Sequence, residues 1–335
     1  MNVLLSAVGR RAYLVEYFKQ IVHPLGGKVY ATNTHPDATG FLAADVAAIV
    51  PPSADPTYVD VMIGLCRKWN IKLLFSLHDW DAPTIARARQ RFLNVGTIPV
   101  MGSAELLATC LDKLATVREM AKLGVAVPRT VLTVEDALAQ LKFPMIVKPR
   151  WGQGSVGLFK VASEDELKAA FALSDFQARR FAAACPEIDA SAPQVLIQEC
   201  VEGPEFGCDI VNDLDGKFCR AFVKHKFAMR SGETDAAESV SNPAIEKAAV
   251  IIGEWSKHLG CMDSDWMIGA NGIPCLIELN PRFGGGYPFT HCAGANVPLA
   301  CVNWAQGIMS DDWFAFYRTG VRTFKEISLR IGRHD

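Results

Sequence analysis

No Cys-x-x-Cys pair occurs among the ten cysteines, and the seven histidines show no ligand spacing. Both absences argue against a zinc site. Cys208, Cys219 and Cys275 sit inside apolar, strand-like runs, and the cysteines read as reduced core residues of a cytoplasmic protein. No apolar run is long enough to span a bilayer, so no membrane partner is expected. Residues 1–7 are apolar, but Arg10 and Arg11 follow them, the reverse of a secretory signal. An excess of one charge is also lacking. The formal net charge is -2, without the basic bias of a nucleic-acid surface. There is no internal repeat, no low-complexity tract and no Walker A motif.

What is present is a chain of 335 residues with 50% hydrophobic residues, enough for two or three packed units. The first hundred residues alternate strands (2–7, 28–32, 73–77) with helices (12–22, 59–69), which predicts a parallel sheet with helices on its faces. Arg10 and Arg11 fall in the turn after the first strand, and His78, Asp79 and Asp81 come just after the strand ending at Leu77. Ligands of open α/β sheets bind outside the carboxyl ends of strands, so these residues either touch a ligand or cap surface helices. A helix over 103–123 is expected in two pieces, with Asp112 as an internal cap and Gly124 as its end. Strands at 145–148 and 158–161 flank a glycine-rich loop, and helices are expected over 164–173 and 176–184. From Gln194 the chain turns mostly to strands, with one helix over 244–259 and a last strand over 321–331. Apolar positions of the first unit could form core or a homodimer interface.

Three segments carry chemistry. Residues 263–269 and 273–279 flank Asn271-Gly272, the pattern of a two-residue type I′ hairpin. Counting outward from that turn sets Asp265 opposite Glu278 as a non-hydrogen-bonded pair, with Asn280 and Arg282 further along on the same face. Two opposed carboxylates repel unless a cation compensates, and Asp, Glu and Asn are hard oxygen ligands suited to Mg²⁺ held with phosphates. The bland alternative is a solvated hairpin face, against which the apolar neighbours Trp266, Ile268, Leu276, Ile277 and Leu279 speak. The second segment is Lys148-Pro149-Arg150-Trp151-Gly152-Gln153-Gly154-Ser155-Val156-Gly157, a loop able to fold over phosphates behind a lysine on an apolar strand. The third runs from Ile197 to Glu205, an apolar strand entering a turn with three acids.

Taken in order, these elements resemble the ATP-grasp superfamily over nearly the whole chain, closest to the branch of the carbamoyl phosphate synthetase large subunit and biotin carboxylase. The resemblance implies a Rossmann-like α/β pre-ATP-grasp domain over 1–104. A two-subdomain α+β ATP-grasp fold comes next, with the glycine-rich loop in 105–192 and the metal site in 193–335. It implies that Lys113 and Lys148 bind nucleotide phosphates and that Gly152, Gly154, Ser155 and Gly157 belong to the loop over the triphosphate. By the same likeness Glu199, Cys200 and Val201 form the hinge beside adenine, and Glu205 takes the ribose. Asp265, Glu278 and Asn280 match metal ligands for Mg²⁺ or Mn²⁺, within the motif Ile277-Glu278-Leu279-Asn280-Pro281-Arg282. Arg282, with Arg230, would stabilise an acyl phosphate.

The chain departs from that branch in having aspartate at 265, a single ATP-grasp unit and none of the branch's extra domains. The likeness implies ATP-dependent ligation of a small-molecule carboxylate to an amine, on amino acids or related compounds. A bicarbonate-dependent carboxyphosphate or carbamoyl phosphate step and a non-catalytic nucleotide-binding module are the competing readings.

Overall fold

The computed structural model describes residues 1–335 except 153, 185–187, 231, 309, 311–312 and 333–335. The expectation that falls on Gln153 lies outside the described residues. Five short parallel strands form the first sheet. Asn2–Ser6 lies at its centre between Val29–Asn33 and Ile71–Ser76, with Val46–Ile49 and Ile98–Pro99 at the edges. Val3, Leu4 and Leu5 are all fully buried because helices cover both faces, so this strand is apolar throughout rather than alternating. Consecutive connections leave the sheet in opposite directions at Asn2–Ser6 and Ile71–Ser76. That switch point puts residues 7–11 and 77–81 at the mouth of a crevice.

The second sheet is antiparallel, in the order Thr130–Val131, Val195–Glu199, Met145–Pro149, Phe159–Val161. It has its own small core, in which Met145, Val147, Val161 and Ile197 meet Ala137 and Leu167 from the covering helices. Val195–Glu199, which the likeness assigns to 193–335, pairs into this sheet. One expectation is corrected here. The two helices expected over 164–184 are one, Glu164–Ala184. Ser174 and Asp175 do not break it, because Ser174 is buried and Asp175 spends its carboxylate on Arg179 one turn on, at 2.7 Å.

The third sheet has six strands, in the order Pro274–Asn280, Gly260–Ile268, Glu205–Asn212, Phe218–Arg230, Glu233–Val240, Arg322–Phe324. One face is apolar and lies under helix Pro243–Ser256, where Cys208, Ile210, Val223, Met262, Trp266 and Leu276 meet Ile245, Ala249 and Ile252. The expected last strand shrinks to Arg322–Phe324, and beyond it Ile327, Leu329 and Ile331 are exposed. Two helices were not expected, Tyr287–Cys292 and Val297–Trp304. They seat Tyr287, Val297, Ala300 and Cys301 against Leu14 and Phe18 of the first domain, so first and last units share one core. Among the described residues no helix is long and apolar enough to cross a membrane.

Candidate active site

The face of the third sheet opposite its helix is charged. Strand pairing sets Lys224, Gly207, Asp265 and Glu278 in one row across four strands. The next row holds Asp209, Asp263 and Asn280. Asp265 therefore stands opposite Glu278, but not by the expected route. The hairpin turn is not type I′: Gly272 N donates to Gly269 O at 2.9 Å, and within the turn only Gly272 takes positive φ, at 70°. That is the longer turn in which glycine supplies the left-handed residue. It shifts the pairing near the turn by one residue, and an irregularity between Asp265 and Trp266, which leaves Ile277 unpaired, shifts it back.

Lys226, two residues beyond Lys224 on the same strand, donates to Glu205 at 2.9 Å and to Asp265. Burial works against its charge, but Asp265, Asp263 and Glu205 outweigh it and hold the ammonium above its ordinary pKa. Both lysine stems cross Gly207, where a Cβ would come within 3.0 Å of each Cε. Lys224 turns inward and donates to Asp209 at 2.6 Å and to Thr290 at 3.2 Å.

The opposite wall comes from the middle of the chain. Asp112 caps helix Lys113–Lys122, accepting from Leu114 N at 3.0 Å and Ala115 N at 3.3 Å, and receives the Arg150 guanidinium at 2.7 and 2.5 Å. This fixes Lys113, whose ammonium donates to Gly152 O at 2.7 Å and lies 3.2 Å from Glu278. Lys148 is buried on its strand, and burial together with Lys113 pushes its pKa down to about 8 against the pull of Glu278. Burial pushes Glu278 up, but Lys113 and Lys148 outweigh it and keep the carboxyl below its ordinary value.

A cleft of about 270 Å³ is lined by Lys113, Lys148, Gly152, Gly154, Ser155, Glu205, Lys226, Asp265 and Glu278. Other expected residues are not brought into it. Gly157 lies behind the loop against Pro149. Glu199, Cys200 and Val201 are not among its lining residues, and the Glu199 carboxylate accepts from Arg129 N at 3.0 Å. Arg230, at a strand end, is spent on Asp235 at 2.9 Å.

A second cleft of about 510 Å³ shares Lys226, Asp265 and Glu278 with the first and extends to the first domain, where Arg10, Arg11, Tyr13 and His78 line it with Asn280 and Arg282. Arg282 lies 2.9 Å from Asp79 and 3.9 Å from Asp263. Burial opposes its charge, but Asp79 and Asp263 raise its pKa, and Arg282 in turn holds Asp79 low against burial. The residues flagged after the first and fourth strands thus divide. Arg11, His78 and Asp79 face the crevice or its arginine. Asp81 points into the first domain and accepts from Tyr58 at 3.2 Å and Ser6 at 3.3 Å.

Sequence reasoning missed Lys226 and Asp263. A signal existed for both: Lys224 and Lys226 alternate within an apolar strand, as Asp263 and Asp265 do on theirs. Among the described residues no group of three His, Cys, Asp or Glu could by itself hold a metal ion. Asp265, Glu278 and Asn280 supply two carboxylates and an amide, which leaves most of a cation's ligands to come from outside the protein. That donor set fits Mg²⁺ bound along with phosphates.

Residues 141–290 match the family model described as ATP-grasp domain, and residues 3–100 match that of the PylC-like N-terminal domain. The chain carries an ATP-grasp domain. Among similar proteins are D-alanine--D-alanine ligases from Pseudomonas entomophila, 38% identical over 208 residues, and Stutzerimonas stutzeri, 28% identical over 216 residues. These matches cover 54% and 56% of this chain and 60% and 64% of the relatives, so the chain spans about three fifths of their length. Among solved structures, the biotin carboxylase domain of a Hydrogenobacter thermophilus 2-oxoglutarate carboxylase aligns with a TM-score of 0.75 at 15% identity, over 96% of this chain and 73% of that one. An L-amino acid ligase from Bacillus licheniformis aligns with a TM-score of 0.71 at 19% identity, over 91% and 74%. These likenesses place the ATP-grasp domain and its parallel-sheet partner in one fold with those enzymes.

Proposed function

We propose that this chain is an ATP- and Mg²⁺-dependent ligase that activates a carboxylate as an acyl phosphate and joins it to an amine. The observation that carries this reading is the meeting of Lys113 and Lys148 with the Asp265–Glu278 pair in one cleft beneath a glycine-rich loop. Lys113 and Lys148 bind the phosphates of ATP, while Gly152, Gly154 and Ser155 close over them and exclude water. Asp265, Glu278 and Asn280 hold Mg²⁺, or Mn²⁺ through the same oxygens, which neutralises charge on the phosphates. Lys226 keeps Asp265 and Glu205 in place until nucleotide arrives. A substrate carboxylate oxygen attacks the terminal phosphorus and the bond to ADP breaks. The amine then attacks the acyl carbon, forming a C–N bond as phosphate leaves with the electron pair and the nitrogen gives up its extra proton to the departing phosphate or to solvent. Arg282 stabilises the oxyanion of that step. Arg230, tied to Asp235, has no part in this reading, and the position of the adenine hinge at Glu199, Cys200 and Val201 rests on resemblance alone.

The relatives named as D-alanine--D-alanine ligases and the fold neighbour named as an L-amino acid ligase support amino acids or related compounds as substrates. The test is ADP release with Mg²⁺ and ATP across paired pools of small acids and amines. Release that needs both an acid and an amine is expected. Release with bicarbonate alone would replace this reading with a carboxyphosphate step, and bound ATP without ADP in every pool would leave a binding module.

A further inference from the structure

The cleft at the first domain holds three cations that the proposed reaction does not use, Arg10, Arg11 and Lys325. Arg282 has Asp79 as its partner, Arg10 is an exposed residue paired with Glu233 at 2.8 Å, and Lys325 lies 3.7 Å from the same carboxylate. Arg11 differs from these. Among the described residues, the only hydrogen bond of its side chain goes to the Leu77 carbonyl, and it forms no ion pair. Burial and the neighbouring Arg282 press its pKa down, while Asp79 and Asp263 nearby pull it up. Asp79 is bound to Arg282, which leaves the Arg11 guanidinium on the cleft wall with no carboxylate of its own within ion-pair distance among the described residues, and open to an anion in the cleft. Arg11 reaches across the switch point of the first sheet, from the turn after Asn2–Ser6 to the end of Ile71–Ser76, where such sheets bind ligands. Tyr13, at the start of helix Ala12–Val22, lines the same cleft, and its hydroxyl has no hydrogen-bond partner among the described residues. Its ring lies close enough to Arg11 for the two to influence each other's charge.

We infer that the acid activated here carries a second anionic group, a carboxylate or a phosphate, which Arg11 and Tyr13 bind while the reacting carboxylate lies between Arg282 and the Asp265–Glu278 pair. This rests on the ligase reading and narrows its substrate. A guanidinium suits the role because it stays charged despite burial and forks onto two oxygens. Its place beside Arg282 sets the two anionic groups of the substrate on one side of the cleft, leaving the side of the glycine-rich loop to ATP.

The experiment measures ADP release at saturating Mg²⁺-ATP, with the amine pool fixed and three chain-matched sets of acids: monocarboxylic, dicarboxylic and phosphorylated monocarboxylic. At least one dianionic acid is expected to exceed its monoanionic counterpart in kcat/KM by about tenfold or more. The arm that shows the gain identifies carboxylate or phosphate. Arg11→Gln is expected to collapse that ratio to about twofold, chiefly through KM, and Arg11→Lys to keep part of it. Equal kcat/KM for mono- and dianionic acids in the unmodified protein overturns the inference while the ligase reading stands. So does an Arg11→Gln variant that lowers all acids alike. If that variant fails to fold by circular dichroism, the ratio in the unmodified protein and in Arg11→Lys decides. Absence of ADP with every acid overturns the ligase reading, and this inference with it.

Discussion

Glu278 meets Lys113, Lys148 and Asp265 at once, which makes it the residue on which the proposed metal and phosphate sites both depend. Glu278→Ala is expected to lower ADP release on the order of 10³-fold or more, while circular dichroism and the melting temperature stay near those of the parent. Undiminished turnover would remove the metal assignment. Asp79 supports a different expectation. It is a buried carboxylate 2.9 Å from a buried guanidinium, and its removal leaves Arg282 with only the more distant Asp263 at 3.9 Å. Breaking one side of a buried pair costs about 3–5 kcal/mol. Asp79→Ala should therefore lower the urea midpoint by a corresponding amount, and a loss below about 1 kcal/mol would mean that Asp263 takes over as partner.

At the scale of elements, helix Pro243–Ser256 is fastened to the sheet by His258 just beyond its end. Nε2–H donates to Ile210 O at 3.0 Å, and Nδ1 lies 2.8 Å from the Ser256 hydroxyl. Burial pushes the ring's pKa down to about 4, so the folded protein holds it neutral. The unfolded chain takes up this proton near pH 6.5, before the folded one does. The contribution of His258 is therefore complete above pH 6.5 and is lost as pH falls toward 4, amounting to about 3 kcal/mol there. His258→Gln should flatten the fall in stability between those pH values, measured by denaturant titration at each pH. Equal slopes in parent and variant would count against it. The cap at Asp112 belongs to this scale too. Asp112→Ala removes a helix cap worth about 1 kcal/mol and frees Arg150 and the start of the helix bearing Lys113, so KM for ATP should rise along with the loss of stability.

Elements with strong local signals were legible in the chain. The split of the helix at Asp112 and the apolar strands of the first sheet stand as expected, because capping and continuous burial are written in neighbouring residues. The opposition of Asp265 and Glu278 was legible for a less local reason. The longer turn and the irregularity at Ile277 each shift pairing by one residue in opposite senses, so a count that ignored both arrived at the same pair. Helices Tyr287–Cys292 and Val297–Trp304 were hidden by the glycines before them and by Pro288 and Pro298. Each of these prolines sits in a first helical turn, where it is tolerated, and Asn296 caps the second helix through Leu299 N at 3.1 Å. The partner of Arg282 was illegible as such, since Asp79 is 203 residues away and only tertiary packing brings the two together.

Across the whole molecule, the distribution of cores predicts how it opens. The first sheet and the third share a core through Leu14, Phe18, Tyr287, Val297 and Cys301, and should lose structure together. The second sheet has a small separate core, so its strands Met145–Pro149 and Val195–Glu199 should exchange their amide hydrogens at lower opening free energy than Asn2–Ser6 or Gly260–Ile268. Nucleotide bound between Lys148 on the second sheet and Glu278 on the third would tie the separate unit to the shared one. At a ligand concentration 100 times Kd this adds about 2.7 kcal/mol to every opening that breaks the site. Mg²⁺-ATP should therefore slow exchange in Met145–Pro149 and Val195–Glu199 well over tenfold, and slow the first sheet far less, because its local openings leave the cleft intact. Equal protection in both sheets would mean that the three units open as one body. The cleft would then not be the joint across which the second sheet moves, and the glycine-rich loop would have to close over nucleotide without help from the strands that carry it.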